Sequence, residues 1–117
     1  PGSSTQVYIC NERTDSVYIW NFGDPAPITT LQTVNHSSNS LNRPWGMTLD
    51  GYGNLYVADR DNDRVVMFVP NATIGIPVVV RGSTGPTLDK PVDVALDSQL
   101  NLYVAVEGHM IIKYART

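Results

Sequence analysis

Short apolar runs recur along the chain, each bounded by polar or turn-forming positions. Val7-Tyr8-Ile9-Cys10, Val17-Tyr18-Ile19-Trp20, Leu55-Tyr56-Val57-Ala58, Val65-Val66-Met67-Phe68, Leu102-Tyr103-Val104-Ala105 and Ile111-Ile112-Lys113-Tyr114 are such runs. β-Branched and aromatic residues dominate them, which is what a strand favours, and no segment carries a helical period. Asp50-Gly51-Tyr52-Gly53-Asn54 and Asp97-Ser98-Gln99-Leu100-Asn101 are turn-forming clusters. Ile76-Pro77-Val78-Val79-Val80 reads as a further strand. Pro77 has no N–H for a ladder, so this strand is expected at a sheet edge.

The runs also repeat. Leu55–Ala58 returns as Leu102–Ala105 at a spacing of 47 residues, and Pro44/Pro91, Leu49-Asp50/Leu96-Asp97 and Asn54/Asn101 share that spacing. Val7–Cys10 and Val17–Trp20 match Leu55–Ala58 and Val65–Phe68 at a spacing of 48, and Ile111–Tyr114 is a third copy of the latter, one loop residue shorter. Four short strands in roughly 47 residues is the period of a β-propeller blade. With strands lettered a to d from the propeller axis outward, residues 1–40 carry b-c-d, residues 41–87 a complete a-b-c-d unit, and residues 88–117 a-b-c. The predicted fold is all-β: blades of four-stranded antiparallel sheets, about two and a half of them, in an open arc that this chain alone does not close.

Within that frame the residues Arg43-Pro44-Trp45-Gly46-Met47-Thr48-Leu49-Asp50, Gly53-Asn54-Leu55-Tyr56-Val57-Ala58-Asp59 and Asn62-Asp63-Arg64-Val65 resemble the NHL repeat. The outer units depart from the pattern: Asp93 stands where Gly46 does, and Val106 where Asp59 does. Pro70 through Val80 also resembles the blade-closing segment of secreted animal NHL arrays. The resemblance implies an extracellular propeller segment that works through its surfaces. Its open ends expose blade faces and strand edges, which favours association with copies of itself or with the remainder of a longer propeller. A glycosylated filament subunit is one form of that reading. The alternative is a fragment of a larger propeller enzyme, a metal-dependent lyase or hydrolase whose catalytic residues lie outside this chain.

Composition narrows the chemistry. Net charge is −3 with eight Lys plus Arg against eleven Asp plus Glu, which speaks against nucleic acid as a partner. No apolar run approaches the ~20 residues of a membrane span, so no membrane insertion is expected. The first residue is Pro1, which predicts a piece of a longer chain or a processed one. The single Cys10 excludes an internal disulfide and a multi-cysteine zinc site. It aligns with Ala58 and Ala105, so a small, packed, unreactive thiol is expected. His36 and His109 lie far apart and read as turn or surface residues.

Asp59, Asp61 and Asp63 alternate as in the start of a calcium loop. Such a loop needs Gly at its sixth position and Glu at its twelfth, where this chain has Arg64 and Pro70. The run therefore reads as a hairpin turn, with Asp59 accepting hydrogen bonds from turn amides and Arg64 pairing with it across the hairpin mouth. Inner-strand segments offer Asp50, Asp93 and Asp97 without a His, and no Ser-His-Asp or Cys-His set is present. Catalysis, a metal and a cofactor are accordingly not expected. Trp20 aligns with Phe68 and Tyr114 as an aromatic between blades, and Trp45 aligns with Val92, so packing is the default for both. Two sequons, Asn35-His36-Ser37 and Asn71-Ala72-Thr73, fall in predicted loops and are candidates for N-linked glycan, Asn71 the better of the two. Thr29 through Ser40 is rich in Ser and Thr and reads as a solvated loop or a carrier of O-linked sugar.

Overall fold

The structure is a computed structural model, and it describes residues 6–34, 40–80, 88–108 and 110–115. Three antiparallel sheets stand side by side. The first contains β1 (Gln6–Asn11), β2 (Ser16–Asn21) and β3 (Thr29–Leu31), in that order. The middle sheet contains β5 (Pro44–Leu49), β6 (Leu55–Asp59), β7 (Arg64–Phe68) and β8 (Ile74–Val80), with β4 (Thr33–Val34) added beyond β8. The third contains β9 (Pro91–Leu96), β10 (Leu102–Val106) and β11 (Met110–Tyr114). Among the described residues the helical content is one 3-10 turn, Arg60–Asn62, and no helix is long and apolar enough to cross a membrane. The molecule is a partial, open β-propeller.

Period-2 alternation explains how the sheets stack. Along β6 and β7, Leu55, Val57, Val66 and Phe68 point to the first sheet, where they pack with Val17, Leu31, Val34 and Leu41. The intervening Ala58 and Val65 point the other way and pack with Leu88, Val94, Leu102, Val104, Val106 and Ile112. A sheet buried on both faces needs apolar residues at consecutive positions, which is why these runs are unbroken rather than alternating. Leu41 and Leu88, which lead into successive units, each plug one cluster.

Pro77 lies opposite Val66 on the outermost long strand of the middle sheet, beside a register shift. The edge it was expected to occupy is covered at its start. Thr33 and Val34 of β4 pair in parallel with Ile74 and Gly75, stitching the first unit to the outer rim of the second. Pro77 lies past this coverage, so its missing N–H costs no ladder bond to β4.

Candidate interaction surface

The turns joining β1 to β2, β6 to β7 and β10 to β11 lie along one rim, together with the starts of β5 and β9. Asp59 and Arg64 face each other in register at the mouth of the middle hairpin. Both are buried, and Arg64 Nε donates to Asp59 Oδ2 at 2.6 Å. The Asn42 backbone N–H donates to Asp59 Oδ1 at 2.7 Å, and Asn62 Nδ2 to Asp59 Oδ2 at 3.0 Å. The ion pair across the hairpin is therefore as the sequence suggested. The amides come from Asn62's side chain in the turn and from the incoming linker at Asn42. Burial pushes the Asp59 carboxyl up and outweighs these hydrogen bonds and the Arg64 charge.

The three alternating aspartates address different partners. Asp61 pairs with Arg60 at 2.7 Å. Asp63, left-handed at φ 53°, accepts from the Lys90 backbone N–H at 2.9 Å. Asp15, left-handed at φ 56°, does the same for the Arg43 N–H at 2.8 Å. Both donor residues precede a proline that opens the next inner strand, and both are themselves left-handed, Arg43 at φ 53° and Lys90 at φ 50°. An aspartate in one blade's turn thus latches the strained entry of the next blade. The signal was present in the sequence as Asp15/Asp63 and Arg43-Pro44/Lys90-Pro91, two pairs at the repeat spacing, but their pairing with each other was not read from it. Asp63→Ala is expected to cost about 1.5–3 kcal/mol, the range for a hydrogen bond to a charged group. Asp63→Asn keeps an acceptor and tolerates the left-handed backbone, so it should cost much less. Thermal unfolding, with amide exchange along β9, separates the two.

Charge and aromatic contacts reinforce the rim. Arg60 donates to Glu107 of the third unit at 2.7 Å, and Arg43 reaches Glu12 of the first at 3.4 Å. These are partly exposed pairs and add little stability each. The Arg60 guanidinium also sits 5.0 Å from the Trp45 ring centroid. Trp45 is 47% exposed, so it is not the packed residue its alignment with Val92 suggested. Trp45 lies within the register shift between Pro44 and Met47, where strand alternation no longer sets which face a side chain takes. Cys10, Glu12, Pro44 and Trp45 line a cleft of about 250 Å³. Cys10 is half-buried, and its thiol is pushed up to about 12, first by burial and then by the nearby charges of Asp59 and Glu12. It stays protonated at neutral pH, as an unreactive thiol requires.

On the opposite rim the a–b turns carry a duplicated network. Asp50 Oδ1 accepts from the Tyr52 and Asn54 N–H groups, and its Oδ2 accepts from Asn54 Nδ2 and the Tyr56 hydroxyl. Asp97 repeats all four bonds with Gln99, Asn101 and Tyr103. Asn101's side chain and N–H lead in drawing Asp97 down to about 2. At Asp50 burial acts upward, but the four bonds outweigh it and leave the carboxyl below its usual value. A carboxylate depressed by folding stabilises above its unfolded pKa of roughly 3.9. That contribution is lost as pH falls through the folded value. Asp97→Asn should therefore flatten the decline of Tm between about pH 4 and pH 2. A Tm series across that window checks it.

Asn71 lies in the turn between β7 and β8, where Ala72 N–H donates to Val69 O at 3.0 Å. Its φ is 64°, and it is exposed beside a cleft of about 230 Å³ between the first two sheets. Asn35, His36 and His109 lie outside the described residues, as do residues 35–39 of the Ser- and Thr-rich stretch; the start of that stretch is not the expected solvated loop, because Thr29–Leu31 and Thr33–Val34 form strands whose Leu31 and Val34 are buried.

Residues 41–68 match the family profile described as NHL repeat. A stretch of 45 residues is 36% identical to Protein wech of Drosophila melanogaster; it covers 38% of this chain and 5% of that protein. The matched span runs from Leu41 through β5, the Asp50 turn, β6 and β7, the part of the structure that holds both the Asp50 network and the Asp59–Arg64 pair. An NHL repeat marks a β-propeller interaction module, and the family is mostly non-catalytic. The chain carries an NHL repeat, residues 41–68, as the middle unit of an open arc of propeller blades.

Proposed function

We propose that this chain is a non-catalytic, extracellular interaction module that self-associates through its open blade faces. The observation that carries the reading is the mismatch between equivalent positions. Ile9 is 41% exposed on the outward face of the first blade, whereas its equivalent Val57 is 0% exposed in the middle blade. Ile111 is 70% exposed on the outward face of the third blade, whereas its equivalent Val65 is 0% exposed. The first face is one half of an inter-blade contact and the second is the other half. A copy of this chain, or the remainder of a longer propeller, is the partner whose shape suits them. Head-to-tail repetition that does not close gives a filament.

The extracellular part of the proposal is supported by the exposed sequon at Asn71, on a tight turn where a glycan points into water. Native mass measurement and electron microscopy of the full-length protein test the assembly. Concentration-dependent oligomers or filaments are expected, and monomers at every concentration would sink it. A mass loss on enzymatic deglycosylation, abolished by Asn71→Gln, tests the glycan; an unchanged mass overturns it.

A further inference from the structure

The cleft between the first two sheets has a volume of about 230 Å³. Gln6, Tyr8 and Thr29 line it from the first blade, and Pro70, Asn71 and Thr73 from the middle one. Its first-blade lining departs from the repeat. At the position of Tyr8, the other blades have Tyr56 and Tyr103, which donate to Asp50 and Asp97 at 3.1 Å. The residue at that offset from Tyr8 is Gly2, which has no carboxylate. Among the described residues the Tyr8 hydroxyl reaches Gln6 Oε1 at 3.5 Å, a distance at which a hydrogen bond is weak. Gln6 itself replaces Asn54 and Asn101, whose side chains complete the networks of the other two turns. A hydroxyl and a primary amide that two blades tie into a turn therefore line a cleft in this one. Both groups donate and accept, so a ligand rich in hydroxyl and amide groups is the chemistry that suits them.

The middle blade supplies an anchor for such a ligand. Asn71 belongs to a sequon and is exposed at the cleft. Its turn is held on both sides: Ala72 N–H donates to Val69 O at 3.0 Å, and Pro70 Cγ lies 3.2 Å from where a Cβ on Gly53 would stand. Asn71 tolerates the left-handed φ of 64° that this turn imposes. A sugar attached there starts from a fixed point beside the cleft, so its docking is intramolecular and benefits from a high effective concentration. The cleft is smaller than the ~300–1,000 Å³ of pockets for drug-sized ligands, which suits one sugar ring rather than a branched chain.

We infer that the innermost N-acetylhexosamine of an N-linked glycan on Asn71 lies in this cleft against Tyr8 and Gln6, and so clamps the first blade to the middle one. The inference rests on the glycan proposed above and gives it a structural role. The outer sugars extend into water and leave the clamp unaffected.

Amide exchange of the full-length protein, secreted from eukaryotic cells, tests it. Three forms are compared: the intact glycoprotein, the same protein trimmed by an endoglycosidase to its innermost sugar, and Thr73→Val, which destroys the sequon and keeps Asn71 in its turn. Trimming should leave β1 and β2 as protected as in the intact glycoprotein, whereas Thr73→Val should speed their exchange about tenfold, with β9, β10 and β11 unchanged. Tyr8→Phe removes the hydroxyl alone. It should speed exchange in the trimmed glycoprotein and have little effect on top of Thr73→Val, the coupling that a direct contact produces. Equal effects of Tyr8→Phe in both backgrounds, or a loss on trimming as large as the loss in Thr73→Val, overturn the inference and leave the glycan standing. A protein whose mass shows no carbohydrate overturns both.

Discussion

Arg64→Ala is expected to destabilise the protein by about 3–5 kcal/mol, the cost of stripping a buried carboxylate of its ionic partner. Asp59 is fully buried and Arg64 nearly so, so no solvent can replace the guanidinium without opening the hairpin. The loss is large against the ~5–15 kcal/mol that holds a typical domain together. It should also depend on pH. Without Arg64, burial raises Asp59 further above its unfolded value, and the penalty is fully present above that folded pKa. It fades as pH falls through the folded pKa and is gone below the unfolded value of roughly 3.9, where the carboxyl is protonated in both states. Denaturant unfolding at pH 7 and pH 4 measures both effects. A similar loss at the two pH values would show that Arg64 acts through packing alone.

The chain contains its own control for that experiment. Where the middle hairpin has Asp59 and Arg64, the third has Val106 opposite Met110, and the first has Asn11 opposite Ser16. An apolar pair of this kind replaces an ion pair at little or no net cost when the remaining polar groups find partners. In the middle hairpin, Asn42 N–H donates to Asp59 itself, so combining Asp59→Val with Arg64→Met would leave a deficit from that orphaned donor. The double variant should still be more stable than Arg64→Ala.

Much of this organisation was legible in the chain because strands write a period of two and blades repeat it. Leu55–Ala58 and Leu102–Ala105 identified strands that the structure forms at Leu55–Asp59 and Leu102–Val106. The Asp59–Arg64 pair was legible because it spans a hairpin, where register follows from local sequence. What escaped were contacts between units. The Asp63–Lys90 latch joins residues 27 apart in neighbouring blades, and nothing local says that one addresses the other. The two-residue β4 is too short to show a pattern, and its parallel pairing depends on where the next blade lies. Trp45 was expected to pack because it aligns with Val92, and an alignment does not fix which way a side chain points inside a register shift. The Tyr56 hydroxyl bond to Asp50 was recoverable, since Asp, Asn and Tyr keep the same offsets at Asp97, Asn101 and Tyr103.

Gly46→Val is the second large effect expected, and it should be local. The atoms that a Cβ would meet include the Asp93 Cα and the Val92 carbonyl, which belong to backbone and cannot swing aside as a flexible side chain would. Forcing extra volume into such a contact costs about 1–3 kcal/mol, and more where backbone must move. The third blade can relieve the clash only by tilting away from the middle one. That movement pulls Lys90 from Asp63 and opens the cluster of Val65, Leu88, Val94 and Val104. The cluster between the first and middle blades shares none of these residues and should survive. Amide exchange is thus expected to accelerate through β9, β10 and β11 while β1, β2 and β7 remain protected, a split that follows from the near-independence of successive repeat interfaces. Uniform acceleration across all three sheets would show instead that the arc unfolds as one cooperative unit and that Gly46 supports the whole of it.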